Sequence, residues 1–347
     1  MFLKDFPVDI VYTWVDGSDQ RWLSKKKSVL ANYAKYHQSS DVSGVKRFIN
    51  KEELRFSIRS IDRFCPWVRN IYIITDNQTP GWLKLDNNNL IIVDHKDVFK
   101  NKDCLPCYNS NAIETRLHHI RGLSKTFLSF NDDFFVGRPC QKEDFFYEDG
   151  SPKLYVGRPV SRLKLKVRFM FPKLKKINAH ASALSNSRKL VFEKYKKLIN
   201  KNLTHTIKAL NKESLVNVEG LFESACKKTS KNQFRDSTDI WIMALHAYYL
   251  IAERLNSPIY VQKIKKIDFL NKINLRLNKK LDYGYIGLNS GNQKVEHYLG
   301  LIKKYRPLSF CLNDWPGKLF SSCCNSSGCA CTNTTYTDCY ITRTCRN

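Results

Sequence analysis

The sequence predicts an α/β protein built on a mostly parallel, doubly wound sheet. Strands and helices alternate along the first 135 residues, which is typical of parallel strands joined by crossover helices. Four predicted strands, 8–15, 70–75, 90–93 and 126–130, run into Asp16, Asp76, Asp94 and Asn131-Asp132-Asp133. The carboxyl ends of parallel strands meet at one rim of a sheet, where ligands bind, so this pattern indicates an enzyme.

The first elements follow from residue type and spacing. Residues 8–15 are β-branched and aromatic, as in a buried strand, and a helix is expected from about Asp19. Residues 52–64 predict a helix, because apolar side chains recur at helical spacing until Pro66 stops it. A further helix, about 111–122, leads into the strand before Asn131.

The second half contains a basic insertion at about 150–180. Within residues 160–170, apolar and basic side chains alternate, and this period of two predicts a strand with one basic solvent face. The remaining apolar patterns predict helices at 186–200, at 206–227 and from about Ser237.

The charge of the chain indicates anionic partners. Its 347 residues include 58 basic and 32 acidic side chains, a net charge of +26 at pH 7, and residues 158–176 carry eight basic side chains and no acid. Nucleic acid, an anionic membrane face or a polyanionic product would each suit such a surface, and part of the charge can be ordinary solvated surface. The 42% hydrophobic content excludes wholesale disorder.

Cysteine usage and hydropathy bear on location. No apolar run approaches the about 20 residues of a membrane-spanning helix, and residues 1–6 lack the apolar region of a signal peptide. We therefore expect a cytoplasmic protein, with reduced thiols in residues 1–322. Six of the 12 cysteines crowd into the polar tail 323–347, which could bind zinc or form disulfides, but for which we expect disorder.

The Asn131-Asp132-Asp133 run is the first candidate site. Clustered carboxylates are costly unless a cation compensates them, and Mg²⁺ (or Mn²⁺) prefers hard oxygen ligands together with substrate phosphates. The sequence therefore predicts Asp132 and Asp133 as metal ligands, with Asp133 as an alternative base.

Several segments resemble the conserved regions of the Stealth family. The first two regions are matched by residues 9–19, 53–61, 66–71 and 80–83, and then by shorter motifs through Ala112-Ile113-Glu114, His118 and the Asn131-Asp132-Asp133 run. A third region matches His205 followed about 30 residues later by Phe234-Arg235-Asp236-Ser237-Thr238-Asp239, and a fourth looks like residues 310–314.

This resemblance implies a fold and a reaction. Stealth proteins are hexose-1-phosphate transferases of bacterial capsule synthesis, related to the animal N-acetylglucosamine-1-phosphotransferase. We therefore expect a Rossmann-like, glycosyltransferase-A-like catalytic domain over residues 1–322, with a core at 8–146 and 200–315. The expected partners are a nucleotide-sugar donor, a glycan acceptor such as a polyanionic capsule polymer, and the anionic inner face of a membrane as a peripheral contact; no nucleic acid is expected.

The residues and the resemblance together assign roles. The expected catalytic residues are Asp133, His205, Arg235 and Glu114. The expected substrate or nucleotide contacts are Asp16, Asp19, Arg55, Arg59, Asp76, His118 and Asp239. The expected metal ligands are Asp132, Asp133, Asn313 and Asp314. Arg235, placed just before a helix start, would bind phosphate, and Asp239, one helical turn later, would orient it.

Simpler interpretations stand beside these roles. Arg235 and Asp239 could form a surface ion pair, Arg55 and Arg59 could decorate a solvated helix face, and Asp16 and Asp19 could cap a turn. The resemblance implies transfer of a hexose-1-phosphate from a UDP-sugar to an acceptor hydroxyl with release of UMP. Two rival functions also remain: a metal-dependent glycosyltransferase that releases UDP, and a non-catalytic basic protein that binds nucleic acid. No nucleic-acid-binding signature accompanies the charge.

Overall fold

The computed structural model describes residues 5–34, 48, 52–83, 89–157, 159–171, 178–253, 261–263, 283–288 and 292–313. Its strands are β1 Val8–Thr13, β2 Val68–Thr75, β3 Leu90–Asp94, β4 Thr126–Asn131, β5 Phe134–Val136, β6 Leu154–Val156, β7 Lys208–Asn211, β8 Val261–Lys263, β9 Tyr283–Gly287 and β10 Ser309–Asn313. Its helices are α1 Gln20–Ala34, α2 Glu53–Phe64, α3 His95–Val98, α4 Ser110–Glu114, α5 Arg162–Met170, α6 Ala179–Tyr195, α7 Lys212–Leu221, α8 Glu223–Lys231, α9 Ile242–Glu253 and α10 Asn292–Tyr305.

The chain divides into two compact units. The first unit comprises residues 1–44, 67–131 and 141–264, and the second comprises 45–66, 132–140 and 265–347. Both are discontinuous in sequence, because the chain enters the second unit three times: before β2, after β4 and after β8.

A five-stranded sheet forms the centre of the first unit, in the order β3-β2-β1-β4-β7. All pairings except that of β7 with β4 are parallel, so the predicted mostly parallel α/β sheet is confirmed. From β1 the chain first builds β2 and β3 on one side and then β4 on the other. The strand order therefore reverses between β1 and β4, and ligands of such sheets bind outside the carboxyl ends of the strands at this point.

The opposite end of β1 is fixed by a buried carboxylate. Asp9 is fully buried and accepts hydrogen bonds from Arg69 Nε (2.8 Å) and Nη2 (2.6 Å) and from the backbone amide of Ser124 (2.7 Å). Arg69 lies on β2, and Ser124 precedes β4. One side chain therefore links the three central strands of the sheet, and its negative charge is compensated by a bidentate guanidinium.

Several predicted boundaries are wrong. The helix expected at 111–122 consists of the short α4 and a 3₁₀ turn at Leu117–His119. The helix expected at 206–227 begins instead with strand β7, followed by α7 and α8. β7 pairs antiparallel at the edge of the sheet. The four residues of β7 are a strand because they pair with β4. This pairing is a tertiary contact that the local sequence does not reveal.

The basic segment at 160–170 is helix α5, so the predicted strand is wrong. Its Leu, Lys, Arg and Met residues favour a helix, and Ser161 caps it, its hydroxyl accepting from the amide of Lys164 (3.5 Å). In the helix, Leu165 is buried and Phe169 packs against Phe192 of α6, with 5.7 Å between ring centroids. Strand structure does occur in the insertion, as β6, which pairs with β8.

The second unit contains a three-stranded sheet in the order β5-β10-β9. Helix α2, predicted from its apolar spacing, is confirmed and contacts β5: the hydroxyl of Ser57 donates to the carbonyl of Phe134, and the amide of Val136 donates to Ser60 Oγ (3.1 Å). β10 pairs antiparallel with β5 and parallel with β9. These contacts hold the segment after Asp133 between a helix and a strand.

The six cysteines of the described residues, Cys65, Cys104, Cys107, Cys140, Cys226 and Cys311, are all buried thiols. This agrees with the predicted space-filling role of the scattered cysteines. Within the described residues, no helix is both long enough and apolar enough to cross a membrane. The tail 323–347 and Asp314 lie outside the described residues.

Candidate active site

A cluster of ionisable side chains gathers around Trp241 in the first unit. We call it the Glu114 cluster, and it consists of Glu114, His180, His205, Lys208, Arg235 and Trp241. The indole Nε1 of Trp241 donates to Glu114 Oε2 (2.8 Å), and Lys208 Nζ lies 5.7 Å from the centre of the indole ring. The ring of His180 lies 5.0 Å from the same indole. The indole, itself buried, thus contacts a carboxylate, an ammonium group and an imidazole.

Three structural elements bring these residues together. Glu114 ends α4, and Trp241 directly precedes α9. Lys208 begins β7, where it pairs with Ser129 near the carboxyl end of β4. His205 comes three residues before Lys208 in the chain. The antiparallel edge strand therefore carries both basic residues to the rim of the sheet where ligand binding is expected.

The surroundings shift the pKa values of Glu114 and His205 in opposite directions. Burial raises the pKa of Glu114 to about 7, although Arg235, the Trp241 hydrogen bond and Lys208 oppose the rise. Burial is the main cause that lowers the pKa of His205 to about 3, and the positive charges of Lys208 and Arg235 and the neighbouring His180 contribute to this value. At neutral pH His205 is therefore uncharged, whereas Glu114 lies close to its titration midpoint, the position that suits a group which must exchange protons.

Arg235 is held by the helix that carries Glu114. Its Nη2 donates to the hydroxyl of Ser110 (2.7 Å), the first residue of α4. Arg235 is half-buried and acts on Glu114 and on His205 through its charge. The predicted placement just before a helix start is wrong, because α9 begins only at Ile242. Arg235 lies in a loop, and the support for its guanidinium comes from α4.

Asp239 fixes that loop. The predicted helical turn between Arg235 and Asp239 is wrong, because residues 232–241 are not helical. The carboxylate of Asp239 is fully buried and accepts four hydrogen bonds, from the side-chain amides of Asn109 (2.8 Å), Asn111 (3.2 Å) and Asn232 (2.7 Å) and from the backbone amide of Asp236 (3.0 Å). It joins the start of α4 to the loop of Arg235, which makes it a positioning residue.

The second unit holds three neighbouring carboxylates, Glu53, Asp132 and Asp133. Burial raises the pKa of Asp132, and the negative charges of Asp133 and Glu53 raise it further. Asp133 Oδ2 accepts from the amide Nδ2 of Asn313 (3.2 Å) and from the thiol of Cys311 (3.1 Å), while burial raises the pKa of Asp133. Ionised together, these groups repel one another, so the arrangement favours a bound cation.

The donor set fits a divalent metal ion. Oδ1 of Asp133 is buried and has no hydrogen-bond partner, although Oδ2 of the same carboxylate has two. A buried carboxylate oxygen without a partner is costly, and coordination of a hard cation would satisfy it. Asn313 contacts Asp133 through its amide nitrogen and so orients the carboxylate. The metal role predicted for Asn313 stays a prediction, as does that of Asp314.

The residues after β1 and β2 form a separate network in the first unit. Gln78 accepts from the amide of Asp16 (2.8 Å) and donates to Asp19 Oδ2 (3.0 Å). Asp19 also caps α1, accepting from the amides of Arg21 (2.8 Å) and Trp22 (3.3 Å), and the Gln78 bond and these caps hold its pKa below the usual range. These contacts match the capping interpretation, and the nucleotide contacts of Asp16 and Asp19 remain predictions.

Asp76 is paired with a lysine. Lys25 Nζ donates to both carboxylate oxygens, at 2.8 and 2.9 Å, and the Asp76 side chain is only 8% exposed. The neighbouring His95 is buried, which lowers its pKa to about 4 against the opposing charges of Asp76 and Asp94. Asp76, directly after β2, and Asp94, the last residue of β3, thus act on one imidazole, as expected for the carboxyl ends of adjacent parallel strands.

The other predicted substrate contacts have local partners. His118 and His119 both bond through Nε2 to Glu219 Oε2, at 2.7 and 2.8 Å, and Arg116 pairs with Glu219 Oε1 (2.8 Å). The two imidazoles and Glu219 offer ligand atoms within 4.8 Å of one another, a second possible metal grouping. On α2, Arg55 pairs with Glu52 (3.0 Å) and the exposed Arg59 lies over Phe56 (5.6 Å). Substrate contact by these residues stays a prediction.

The sequence did not predict site roles for Trp241, Lys208, Glu53 and Glu219. Trp241 follows an apolar residue and precedes an apolar helix, so the sequence predicts that it is part of the hydrophobic core. Lys208 is one of 58 basic residues, and nothing local distinguishes it. Glu53 lies inside the segment 53–61 that carries the family resemblance, and this was the signal that could have identified it.

Comparison with known proteins places the chain in a family. Models of the Stealth protein conserved regions match it: region 1 over residues 6–34, region 2 over 47–154 and region 3 over 204–252. The capsular polysaccharide phosphotransferase fcs1 of Haemophilus influenzae is 31% identical over 320 residues, covering 89% of this chain and 78% of that protein. The chain belongs to the Stealth protein family. Glu114 and Asp133 lie in region 2, and the remaining described residues of the Glu114 cluster, except His180, lie in region 3.

Other Stealth relatives are longer than this chain. An exopolysaccharide phosphotransferase of Streptomyces coelicolor is 38% identical over 247 residues, covering 71% of this chain and 44% of that protein. The exopolysaccharide phosphotransferase CpsY of Mycobacterium tuberculosis is 31% identical over 319 residues, covering 87% and 57%. This Stealth protein thus spans about half the length of several curated relatives that it matches.

Solved structures give weaker matches. The galactosyltransferase LgtC in complex with donor and acceptor sugar analogues has a TM-score of 0.40 and 10% identity, covering 92% of each chain. Mouse xyloside xylosyltransferase 1 has a TM-score of 0.36 and 9% identity, covering 90% of this chain and 100% of that one. These TM-scores are too low to carry an inference about this Stealth protein.

Proposed function

We propose that this Stealth protein transfers a hexose-1-phosphate, with N-acetylhexosamine-1-phosphate as the expected group, from a UDP-sugar to a hydroxyl of an acceptor glycan. The acceptor oxygen attacks the phosphorus nearest the sugar and forms a new P–O bond. The P–O bond to the uridine-side phosphate breaks, and UMP leaves with the bonding electrons. The acceptor proton passes to a base on the enzyme, and the product is a phosphodiester within an exopolysaccharide or capsule polymer.

Family membership supports the reaction class. The relatives that match over most of this chain are named as exopolysaccharide or capsular polysaccharide phosphotransferases. Their names specify neither the sugar nor the nucleotide released. The choice of donor and of UMP as leaving group is therefore the part of the proposal that an experiment must decide.

The observation that carries the proposal is the Glu114 cluster. A carboxyl group with a pKa near 7 can accept the proton of a hydroxyl nucleophile at neutral pH. Arg235 and Lys208 are positive charges close to this carboxyl group, and fixed cations stabilise the charge on the oxygens of a transferring phosphoryl group. We assign the acceptor proton to Glu114, phosphate binding to Arg235 and Lys208, and hydrogen bonding in its neutral form to His205.

Asp132 and Asp133 would hold the metal ion, with Glu53 beside them. A bound Mg²⁺ (or Mn²⁺) would neutralise phosphate charge when present. Asn313 keeps the Asp133 carboxylate oriented through its bond to Oδ2. This role needs only the free Oδ1 of Asp133 and the neighbouring carboxylates of the same unit.

The test is to identify the released nucleotide. Purified protein would be incubated with a panel of UDP-sugars, a glycan acceptor and Mg²⁺, and the nucleotide would be separated by ion-exchange chromatography while phosphorus NMR follows the product. We expect UMP and a phosphodiester signal. Release of UDP would instead identify a glycosyltransferase and contradict the proposal.

A matched pair of variants tests the site. Glu114→Gln should lower kcat by roughly 100-fold or more, the usual contribution of a general base. Glu213→Gln, which changes an exposed glutamate paired with Lys125, should leave kcat unchanged. Equal activity of the Glu114→Gln variant and the wild type would show that Glu114 is not the general base.

A further inference from the structure

Helix α5 exposes an apolar face. Leu163, Val167 and Met170 are 72%, 38% and 64% exposed, and Phe171, directly after the helix, is 55% exposed. Among the described residues, the other large apolar side chains with such exposure are Val216 and Leu221. Exposed apolar residues are ordinary when scattered singly, but four within nine residues form a patch that needs an explanation.

The helical period places this patch on one side of α5. At 3.6 residues per turn, Leu163, Val167 and Met170 lie within about 60° of one another around the helix axis. Leu165, which is buried, and Phe169, which packs on α6, lie on the other side. The helix therefore has two apolar faces, of which one anchors it to the first unit and the other meets solvent.

Basic residues border the exposed apolar face on both sides. Arg162 and Lys166 lie to one side of it around the axis, and Lys164 and Arg168 to the other. No acidic residue occurs between positions 150 and 192 of the sequence. An apolar strip between two basic borders is the pattern of helices that lie in the interface of a membrane, with the apolar side chains among the acyl chains and the basic ones among the headgroups.

We propose that α5 docks this protein on the surface of an anionic lipid bilayer. The helix lies parallel to the surface and inserts Leu163, Val167 and Met170, while the four basic residues contact lipid phosphates and carboxylates. Long basic side chains suit this position, because their aliphatic parts can lie along the apolar strip while the charges reach the headgroups. The interaction is peripheral and reversible.

The basic residues and the apolar strip of α5 together favour an anionic bilayer over other binding partners. A second copy of the chain would bring two basic borders into contact, and each chain carries a net charge of +26. A soluble polyanion would satisfy the basic residues but would leave the apolar strip in water. An anionic bilayer satisfies both, which neither alternative does. The inference stands on α5 alone and does not depend on the proposed sugar-phosphate transfer.

The experiment measures flotation of the full chain with lipid vesicles. We expect binding to vesicles of phosphatidylcholine mixed with phosphatidylserine and weak binding to phosphatidylcholine alone. The double variant Leu163→Ser, Met170→Ser should reduce partitioning by roughly 10-fold or more. The double variant Lys164→Gln, Lys166→Gln should reduce it by roughly 5-fold for each charge removed.

The chain offers matched controls for both variants. Val216→Ser with Leu221→Ser removes two exposed apolar residues from α7, and Lys227→Gln with Lys228→Gln removes two exposed charges from α8; both should partition like the wild type. Because all the changed side chains are exposed, circular dichroism should show folded protein throughout. Wild-type protein that does not float with anionic vesicles would overturn the proposal.

Two further results would also overturn it. If the Leu163→Ser, Met170→Ser variant binds anionic vesicles as well as the wild type does, the apolar strip has no part in binding. If that variant instead changes the mass measured by light scattering from dimer to monomer, the strip is a contact between copies. Loss of vesicle binding with unchanged nucleotide release would separate this inference from the proposed function.

Discussion

The hydrogen bond from Trp241 is one of the contacts that lower the pKa of Glu114 against the effect of burial. The indole N–H bonds to the carboxylate at 2.8 Å, and a donor to a carboxylate favours the ionised form. The bond therefore opposes burial, which pulls the pKa of Glu114 upward to about 7. If Glu114 is the base, the rate should rise with pH through about 7, because only the ionised carboxylate accepts a proton.

Substituting Trp241→Phe should shift this pH dependence. Phenylalanine keeps an aromatic ring beside Lys208 but cannot donate to Glu114, so the pKa of Glu114 rises. We expect the acidic limb of the kcat profile to move upward by about one pH unit, with the loss of rate greatest at pH 6 and small at high pH. A pH-independent loss would indicate a packing defect instead. Trp14→Phe, a buried tryptophan outside the Glu114 cluster, is the control.

Asp133 should make the stability of the protein sensitive to divalent metal. A ligand that binds only the folded state adds about 2.7 kcal/mol at 100 times its Kd, so saturating Mg²⁺ should raise Tm by several degrees. Asp133→Asn should abolish most of this rise, because it removes the carboxylate whose Oδ1 lacks a partner. Asp62→Asn, an exposed carboxylate on α2, should preserve it. Differential scanning fluorimetry with and without Mg²⁺ provides the measurement, and equal shifts in both variants would contradict the assignment.

The catalytic roles predicted for single residues stay predictions, and the structure shows only where those residues lie. Glu114 and Arg235 were expected from the family resemblance, and the structure brings them together with His205. Trp241 and Lys208 were not expected, because an indole before an apolar helix and one lysine among many are ordinary in a sequence. Their importance comes from contacts between segments more than 90 residues apart in the chain.

At the scale of elements, the loop of residues 232–241 determines where Arg235 and Trp241 lie. It has no regular structure of its own, and the buried carboxylate of Asp239 holds it to α4 through Asn109 and Asn111. A buried acceptor surrounded by four donors is stable only while it remains an acceptor. The loop is therefore sensitive to a change of one atom.

Asp239→Asn tests this support. The new amide would point a donor at the amide donors that surround Asp239 and would leave buried groups unsatisfied. We expect the free energy of unfolding to fall by about 3 kcal/mol, measured by urea denaturation, and kcat to fall because Arg235 moves. Asp236→Asn should cost much less, since its Oδ1 can still accept from Thr238. Equal stability of the two variants would show that Asp239 does not support the loop.

The predictability of elements depended on how much of their pattern is local. Helix α2 was expected because its apolar spacing and Pro66 define it within the segment. Strand β7 was missed because only pairing with β4 makes it a strand. The basic segment at 160–170 alternates apolar and basic residues like a strand but forms helix α5. In this helix the apolar residues fall on two faces, one packed on the protein and the other in solvent.

At the scale of the whole molecule, the parallel sheet was predictable and the division into two units was not. Alternation of strands and helices implies parallel crossovers, and the order β3-β2-β1-β4-β7 follows that rule until its edge strand. The second unit is assembled from three separate stretches of the chain. No local pattern marks which stretches pack together, so the prediction of one catalytic domain over residues 1–322 stays a prediction.

The net charge of +26 predicts how salt affects the folded molecule. An excess of like charges destabilises a compact state through self-repulsion, and salt screens it: the Debye length falls from about 30 Å at 0.01 M to about 8 Å at 0.15 M. The pair of the buried Asp9 with the partly exposed Arg69 is screened less than pairs of fully exposed charges, so salt removes repulsion while it preserves more of this attraction. We therefore expect Tm to rise with sodium chloride over this range, and equally with potassium chloride if screening is the cause. A constant or falling Tm would mean that stabilising surface pairs outweigh the repulsion. The same salt increase should weaken binding of α5 to anionic vesicles, so stability and membrane association should respond in opposite directions.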